Sequence, residues 1–375
     1  MGAGVKARPA GVDERPAGAP HDLQLRDFAP RSSLRVPSTV VGRPRFPVVD
    51  AHVHLAPPFG GDWAARPDKE LLAELDAAGV ETLVDLDGGW GDRLRAEIDR
   101  WQVPYPGRIA VFATMDHDFA SDDRFGDREA ARLRDAAAAG ARGLKVWKLL
   151  GLRSRDSRGR LVAVDDERLD PLWAEAAALG LPVLIHVADP VAFFDPLDRH
   201  NERWEEVRAH PDWHFWPTRP AGAGPDDPRF PTFDELMAQL WRMVERHPRT
   251  TFVGAHVGCA AEDLGFVSAM LEACPNWHVD LAARLGEIGR QPYTARDFIV
   301  RWADRVLFGT DGDPDRAVYR TWYRFLETAD EHMPYGPEEI PSQGRWAVHG
   351  LALPDDVLRK VHAGNARRVM LDPTR

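Results

Sequence analysis

The fold class predicted for this chain is α/β, a (β/α)8 barrel, and three observations predict it. From residue 47 onward, eight short apolar runs alternate with segments of helical periodicity, as expected of parallel strands buried on both faces beneath helices. The first run is not followed by the glycine-rich phosphate loop that opens a dinucleotide-binding sheet. The length of 375 residues suits one barrel with insertions.

Taken in order, residues 1–45 read as a disordered tail followed by an extended arm. Their prolines oppose helix, while Leu25, Phe28, Leu34, Val36 and Val40 give the arm enough apolar surface to lie along the body. The barrel occupies 46–375. Its strands are expected at 48–54, 82–87, 109–116, 143–147, 182–186, 251–256, 277–281 and 306–311. Helices are expected at 71–78, 93–101, 128–138, 172–179, 233–245, 261–272 and 295–302, with a last one near 315–328. Gly79, Gly140 and Gly180 fall where helix C-caps belong. The barrel is distorted by a long insertion after the fifth strand, residues 189–231, dense in Pro, Trp and Phe and read as a lid over the mouth. A second irregular stretch, 331–346, is expected on the surface.

Composition narrows the function. Hydrophobic residues make up 44% and charged residues 29%, ordinary for a soluble enzyme. A net charge of −11 argues against nucleic acid and anionic membrane as partners. Two cysteines, Cys259 and Cys274, exclude a disulfide framework and a cysteine-based zinc module. Residues 1–20 lack the apolar core of a signal peptide, and no stretch is long enough to span a membrane. The expectation is a cytoplasmic protein with a small-molecule substrate, a homo-oligomer being left open.

The chemistry sits at the strand ends. His52 and His54, spaced i, i+2, share one face at the end of the first strand, where two imidazoles can hold a borderline metal ion such as zinc. Strand five ends at His186, strand six at His256 and strand eight at Asp311. A barrel gathers such groups around one axis. Asp50 lies deeper than His52 and reads as a structural partner. Asp85, Asp87 and Asp116 read as loop caps. Arg284 follows strand seven, where a guanidinium suits an anionic substrate group. Trp147 ends strand four. Asn201 and Arg203 lie in the insertion beside Phe193 and Phe194, forming either an aromatic pocket with polar groups or a lid packed on itself.

This order of residues, with Val306-Leu-Phe-Gly-Thr-Asp311 and the closing Gly364-Asn365-Ala366-Arg367-Arg368, resembles the amidohydrolase superfamily. Within it the chain is most similar to the amidohydrolase-related (amidohydrolase 2) branch of metal-dependent TIM-barrel hydrolases and decarboxylases, over about residues 46–371. The resemblance implies a divalent ion, zinc first and manganese second, held by His52, His54, His186 and Asp311. It implies that Asp311 is also the proton acceptor, and that His256 polarises the substrate carbonyl or ligates a second metal. Lys145 stands where two-metal members carry a carboxylated, bridging lysine, though this branch usually works with one metal. Lys145 and Lys148 lie on opposite faces of a strand, so only one is expected to face the axis. The implied activity is hydrolysis of an amide, ester or lactone of a small, carboxylate-bearing substrate. The alternative is non-oxidative decarboxylation of an aromatic or unsaturated acid, and a third reading is a barrel that binds without catalysis.

Overall fold

The structure, a computed structural model, describes residues 24, 32–56, 63–216, 230–336 and 342–372. The chain divides into Met1–Val36 and Pro37–Arg375, and the second unit carries everything below. Residues 37–45 have no secondary structure. The Thr39 amide and hydroxyl donate to Asp330 at 2.6 and 2.8 Å, and the Arg45 amide donates to Glu327 at 3.0 Å. Residues 1–23 and 25–31 of the expected tail and arm lie outside the described residues.

Eight parallel strands follow one another around the sheet. They are β1 (Val48–Val53), β2 (Val80–Asp85), β3 in two segments (Ile109–Val111 and Ala113–Thr114), β4 (Leu144–Val146), β5 (Val183–Ile185), β6 (Phe252–Gly254), β7 (Trp277–Asp280) and β8 (Val306–Leu307). The two segments of β3 flank Phe112, whose amide still donates to Asp85 at 2.9 Å. Closure comes from β8 meeting β1. The Ala51 amide donates to the Phe308 carbonyl at 3.0 Å, the Asp311 amide donates to the His52 carbonyl at 2.8 Å, and Val53 bridges Gly312 in parallel. All eight expected strands form, each ending one to four residues earlier than the apolar runs suggest. Of the residues left beyond the ladders, His54, Trp147, His186, His256 and Asp311 line a cavity at that end.

The barrel helices are α1 (Asp68–Ala78), α2 (Gly91–Glu97), α3 (Phe125–Ala139), α4 (Asp170–Leu179), α5 (Phe233–Arg246), α6 (Leu264–Ala273), α7 (Pro292–Arg301) and α8 (Arg316–Glu327). α1 and α3 stop at Gly79 and Gly140, whose φ of 79° and 107° is left-handed backbone that glycine adopts without a Cβ clash. α5 starts with a capping box in which Thr232 and Glu235 satisfy each other's amides.

Two apolar layers result. The larger lies between strands and helices and includes Leu71, Leu133, Trp173, Leu240 and Phe308. The smaller fills the barrel: Leu184 and Val253 occupy the same register layer as Lys145, joined by Val49, Val84 and Phe112. Ala363, Ala366, Val369 and Met370 pack on this inner cluster. Asn365 donates to the carbonyls of Ala303 and Val306 at 2.7 Å each, so the C-terminal segment stoppers the end where strands begin. The other end is left for chemistry.

Candidate metal centre and substrate cavity

His52 and His54 leave β1 with their Nε2 atoms converging on one oxygen. Asp311 Oδ1 lies 3.1 Å from His52 Nε2 and 3.3 Å from His54 Nε2. The donor atoms of these three residues all lie within 4.8 Å of one another, and two imidazoles with a carboxylate suit a divalent ion such as zinc or manganese. Each ring is aimed from behind. His52 Nδ1 donates to Asp280 Oδ2 at 2.9 Å and His54 Nδ1 donates to Asp87 Oδ1 at 2.8 Å, which turns both Nε2 atoms toward Asp311. Trp147 stacks on the His54 ring at 4.8 Å.

Asp280 holds more than His52. Its Oδ1 accepts the amides of His256 at 2.8 Å and Ala282 at 3.0 Å. That clamp accompanies backbone few side chains adopt: His256, Val257, Cys259, Ala283 and Asp311 all have φ between 54° and 64°. Strained positions gathered at the strand ends mark a functional site. Asp50, as expected, is structural: it accepts the amide and hydroxyl of Thr310 at 3.1 and 2.7 Å, tying β1 to the segment before Asp311.

Two further histidines face the same space. The His256 ring lies 4.9 Å from that of His52 and 4.4 Å from that of His186. His256 Nδ1 donates to the Ala282 carbonyl at 2.9 Å, so Nε2, 3.7 Å from Asp311 Oδ2, presents a lone pair. Burial, with Arg284 nearby, holds its pKa well below the ordinary value. A neutral ring in this tautomer accepts protons or ligates. His186 Nε2 is turned to the Ala188 carbonyl at 3.1 Å and to Asp189 at 3.4 Å rather than to Asp311.

The charges are set by burial against neighbours. Burial would raise Asp311, but the His52 ring and the hydrogen bonds from His52 and His54 outweigh it and keep the carboxylate well below its usual range. Lys145 is fully buried with Nζ 3.1 Å from His52 Nε2, and burial lowers its pKa to about 8 despite Asp311 and Asp280. Lys148 also reaches the site, contrary to the strand alternation. β4 ends at Val146, so the turn that follows points Lys148 at Asp189, with which it pairs.

Above these groups lies a cavity of about 280 Å3. Trp147, Phe193 and Trp213 supply aromatic wall, and Arg284, Glu206, Ser342 and Gln343 supply polar wall. Arg284 is 5% exposed and donates to the Ala283 carbonyl at 3.1 Å; among the described residues no carboxylate pairs with it at ion-pair distance, although Glu206 on the same wall feels its charge. Arg203 also lines the cavity, but its guanidinium is taken by Glu206 and Glu287. Asn201 does not line the cavity. Its amide donates to the carbonyls of Ala192 and Pro196, and so folds the insertion on itself. Of that insertion, residues 217–229 lie outside the described residues.

A closed parallel barrel with a histidine–carboxylate cluster at its strand ends defines a metal-dependent barrel enzyme. The chain belongs to the amidohydrolase family, whose sequence model matches residues 49–370. A search of curated proteins finds no match. Among solved structures, an uncharacterized TIM-barrel protein from Bordetella bronchiseptica is 16% identical, with a TM-score of 0.55 over 88% of this chain and 100% of that one. A dihydroxybenzoic acid decarboxylase from a Polaromonas species, solved with manganese and the inhibitor 2-nitroresorcinol, is 16% identical at a TM-score of 0.54, covering 88% and 98%. The 2,6-dihydroxybenzoate decarboxylase from Rhizobium is 18% identical at 0.52, covering 86% and 98%. At these identities the likeness establishes the fold.

Proposed function

We propose that this protein is a metal-dependent hydrolase that cleaves an amide, ester or lactone bond in a small substrate bearing a carboxylate. The observation that carries the reading is Arg284, a buried guanidinium on the cavity wall with no carboxylate at ion-pair distance among the described residues. A buried charge is costly unless paired, and a substrate carboxylate is the natural partner of a guanidinium fork. The residues that would hold the ion are His52, His54 and Asp311, together with His186, whose ring faces the same cavity. The ion supplies Lewis acidity and lowers the pKa of water from ~15.7 to about 7.

The chain's own residues do the rest. Arg284 fixes the carboxylate and so the orientation of the bond to be broken. Trp147, Phe193 and Trp213 cover the apolar part and exclude bulk water. Asp311, held ionised, accepts the proton of the attacking water and returns it to the leaving group. His256 Nε2, facing Asp311 Oδ2, shares that proton.

The second reading, decarboxylation of an aryl acid, is favoured by the aromatic walls and by the dihydroxybenzoate decarboxylases among the structural relatives. Against it, a guanidinium that pairs with a carboxylate stabilises charge that loss of carbon dioxide must remove from that group. The test is a screen of zinc- and manganese-loaded protein on carboxylate-bearing lactones, esters, amides and aryl carboxylates, following acid release and carbon dioxide separately. Acid release that loses roughly tenfold or more in kcat/KM on Arg284→Met, with neutral analogues unaffected, supports hydrolysis with a carboxylate handle. Carbon dioxide without a hydrolysis product supports the second reading.

A further inference from the structure

The insertion after β5 is fastened to the turn that carries Arg284. Arg203, 1% exposed, reaches from the insertion to Glu287 and also binds Glu206 at 2.6 Å. Glu287 lies in the short helical turn Leu285–Ile288, for which Arg284 is the N-cap residue. The Trp346 ring is approached by two guanidinium groups, Arg203 at 5.4 Å and Arg290 at 4.0 Å from its centroid. Arg290 in turn grips Glu202 of the insertion through two bonds of 2.8 and 3.0 Å, and donates to the Gly286 carbonyl at 2.8 Å. Gly286 admits this packing because a Cβ there would meet Trp346 Nε1 at 3.1 Å.

We propose that Arg203 and Glu287 form a buried bolt that makes residues 189–216 of the insertion a fixed wall and sets the place of Arg284. Arg203 is thus a positioning residue for anion selection. A mobile lid is held by exposed contacts that open singly, whereas this contact is buried at both ends, side chains of Arg203 and Glu287 each being 1% exposed. It acts where placement is hardest to keep, because Ala283, next to Arg284, holds a φ of 54°. Guanidinium forks lose selectivity when they are not held in plane with their carboxylate. Glu206, the other partner of Arg203, lines the same cavity, so the bolt also fixes a polar group facing the substrate.

The inference rests on Arg284 as the anion anchor, and the test separates the two. Full-length, zinc-loaded protein is titrated calorimetrically with benzoate and with benzamide, as wild type, Arg284→Met, Arg203→Lys and the charge-free pair Arg203→Met/Glu287→Gln. The expected result is a benzoate-to-benzamide affinity ratio that falls about tenfold or more in the Arg203 variants, with benzamide affinity and zinc content kept. Benzoate binding that does not need Arg284, or no benzoate binding at all, overturns the anchor and the bolt together. Dependence on Arg284 but not on Arg203 overturns the bolt alone. Hydrogen exchange on the wild type needs no variant to fold. Without ligand, amides of the helix Trp204–Ala209 should be protected to the same order as those of α4; exchange at the rate of an open loop overturns the fixed wall.

Discussion

Replacing Asp280 by Asn reverses the polarity of the metal site without touching a proposed ligand. Asp280 Oδ1 accepts two backbone amides, from His256 and Ala282, and Oδ2 accepts His52 Nδ1–H. In Asp280→Asn the side-chain carbonyl must stay on the two amides, because moving it would leave two buried N–H groups unpaired. The NH2 group then faces His52 Nδ1. The ring can meet it only by moving its proton to Nε2, the atom 3.1 Å from Asp311 Oδ1. A protonated Nε2 cannot ligate, so the ion must either lose this ligand or force two N–H groups together. Loss of a carboxylate behind a ligating histidine weakens metal affinity ~10–100-fold, about 1.4–2.7 kcal/mol. The assay is zinc competition against a chromophoric chelator, with circular dichroism to show the fold retained. Wild-type affinity in Asp280→Asn would refute the tautomer argument.

Other expectations follow from particular contacts. His278 and His362 are buried, and burial holds their folded pKa values at about 3 and about 4 against an ordinary 6.5. Below pH 6.5 the unfolded chain therefore takes up protons that the folded one refuses. Stability falls from there toward pH 4, by roughly 3 kcal/mol for His362 alone. In chemical denaturation His362→Gln should flatten that slope, and an unchanged pH profile would count against the buried neutral ring. Thr310→Val removes the 2.7 Å bond to buried Asp50 and should cost about 1–3 kcal/mol of stability with metal content intact; a loss of metal would place Asp50 closer to the chemistry. The single-metal form predicts one zinc per chain by mass spectrometry, retained in Lys145→Ala. Two per chain, with one lost in that variant, would assign the lysine as a bridging ligand.

What was legible in the sequence depended on whether a feature is periodic along the chain. The eight strands were visible as short apolar runs alternating with helical periodicity, and the i, i+2 histidines because side chains two apart share one face of a strand. The glycines at 79 and 140 were visible because a helix end requires left-handed backbone there. Asp87 and Asp280, which aim the two imidazoles, were not. Each is a carboxylate at a strand end like many others, and its partner lies on another strand. Ser342 and Gln343 belong to a stretch expected on the surface, yet they line the cavity, since irregular backbone carries no pattern that says which way it faces. Asn201 closes a turn, in keeping with the second of its two readings, while Lys148 escaped the alternation rule because its strand had already ended. The left-handed backbone at His256 and Asp311 had no sequence signal, neither position being glycine.

The measurement closest to the central claim is anomalous scattering at the zinc edge from crystals of zinc-loaded wild type and His54→Ala, paired with zinc content in solution. A peak is expected within ~2.0–2.2 Å of His52 Nε2, His54 Nε2 and an Asp311 oxygen. Peak and activity should vanish together in His54→Ala. A peak elsewhere on the barrel, or stoichiometric zinc and full turnover in His54→Ala, would contradict it.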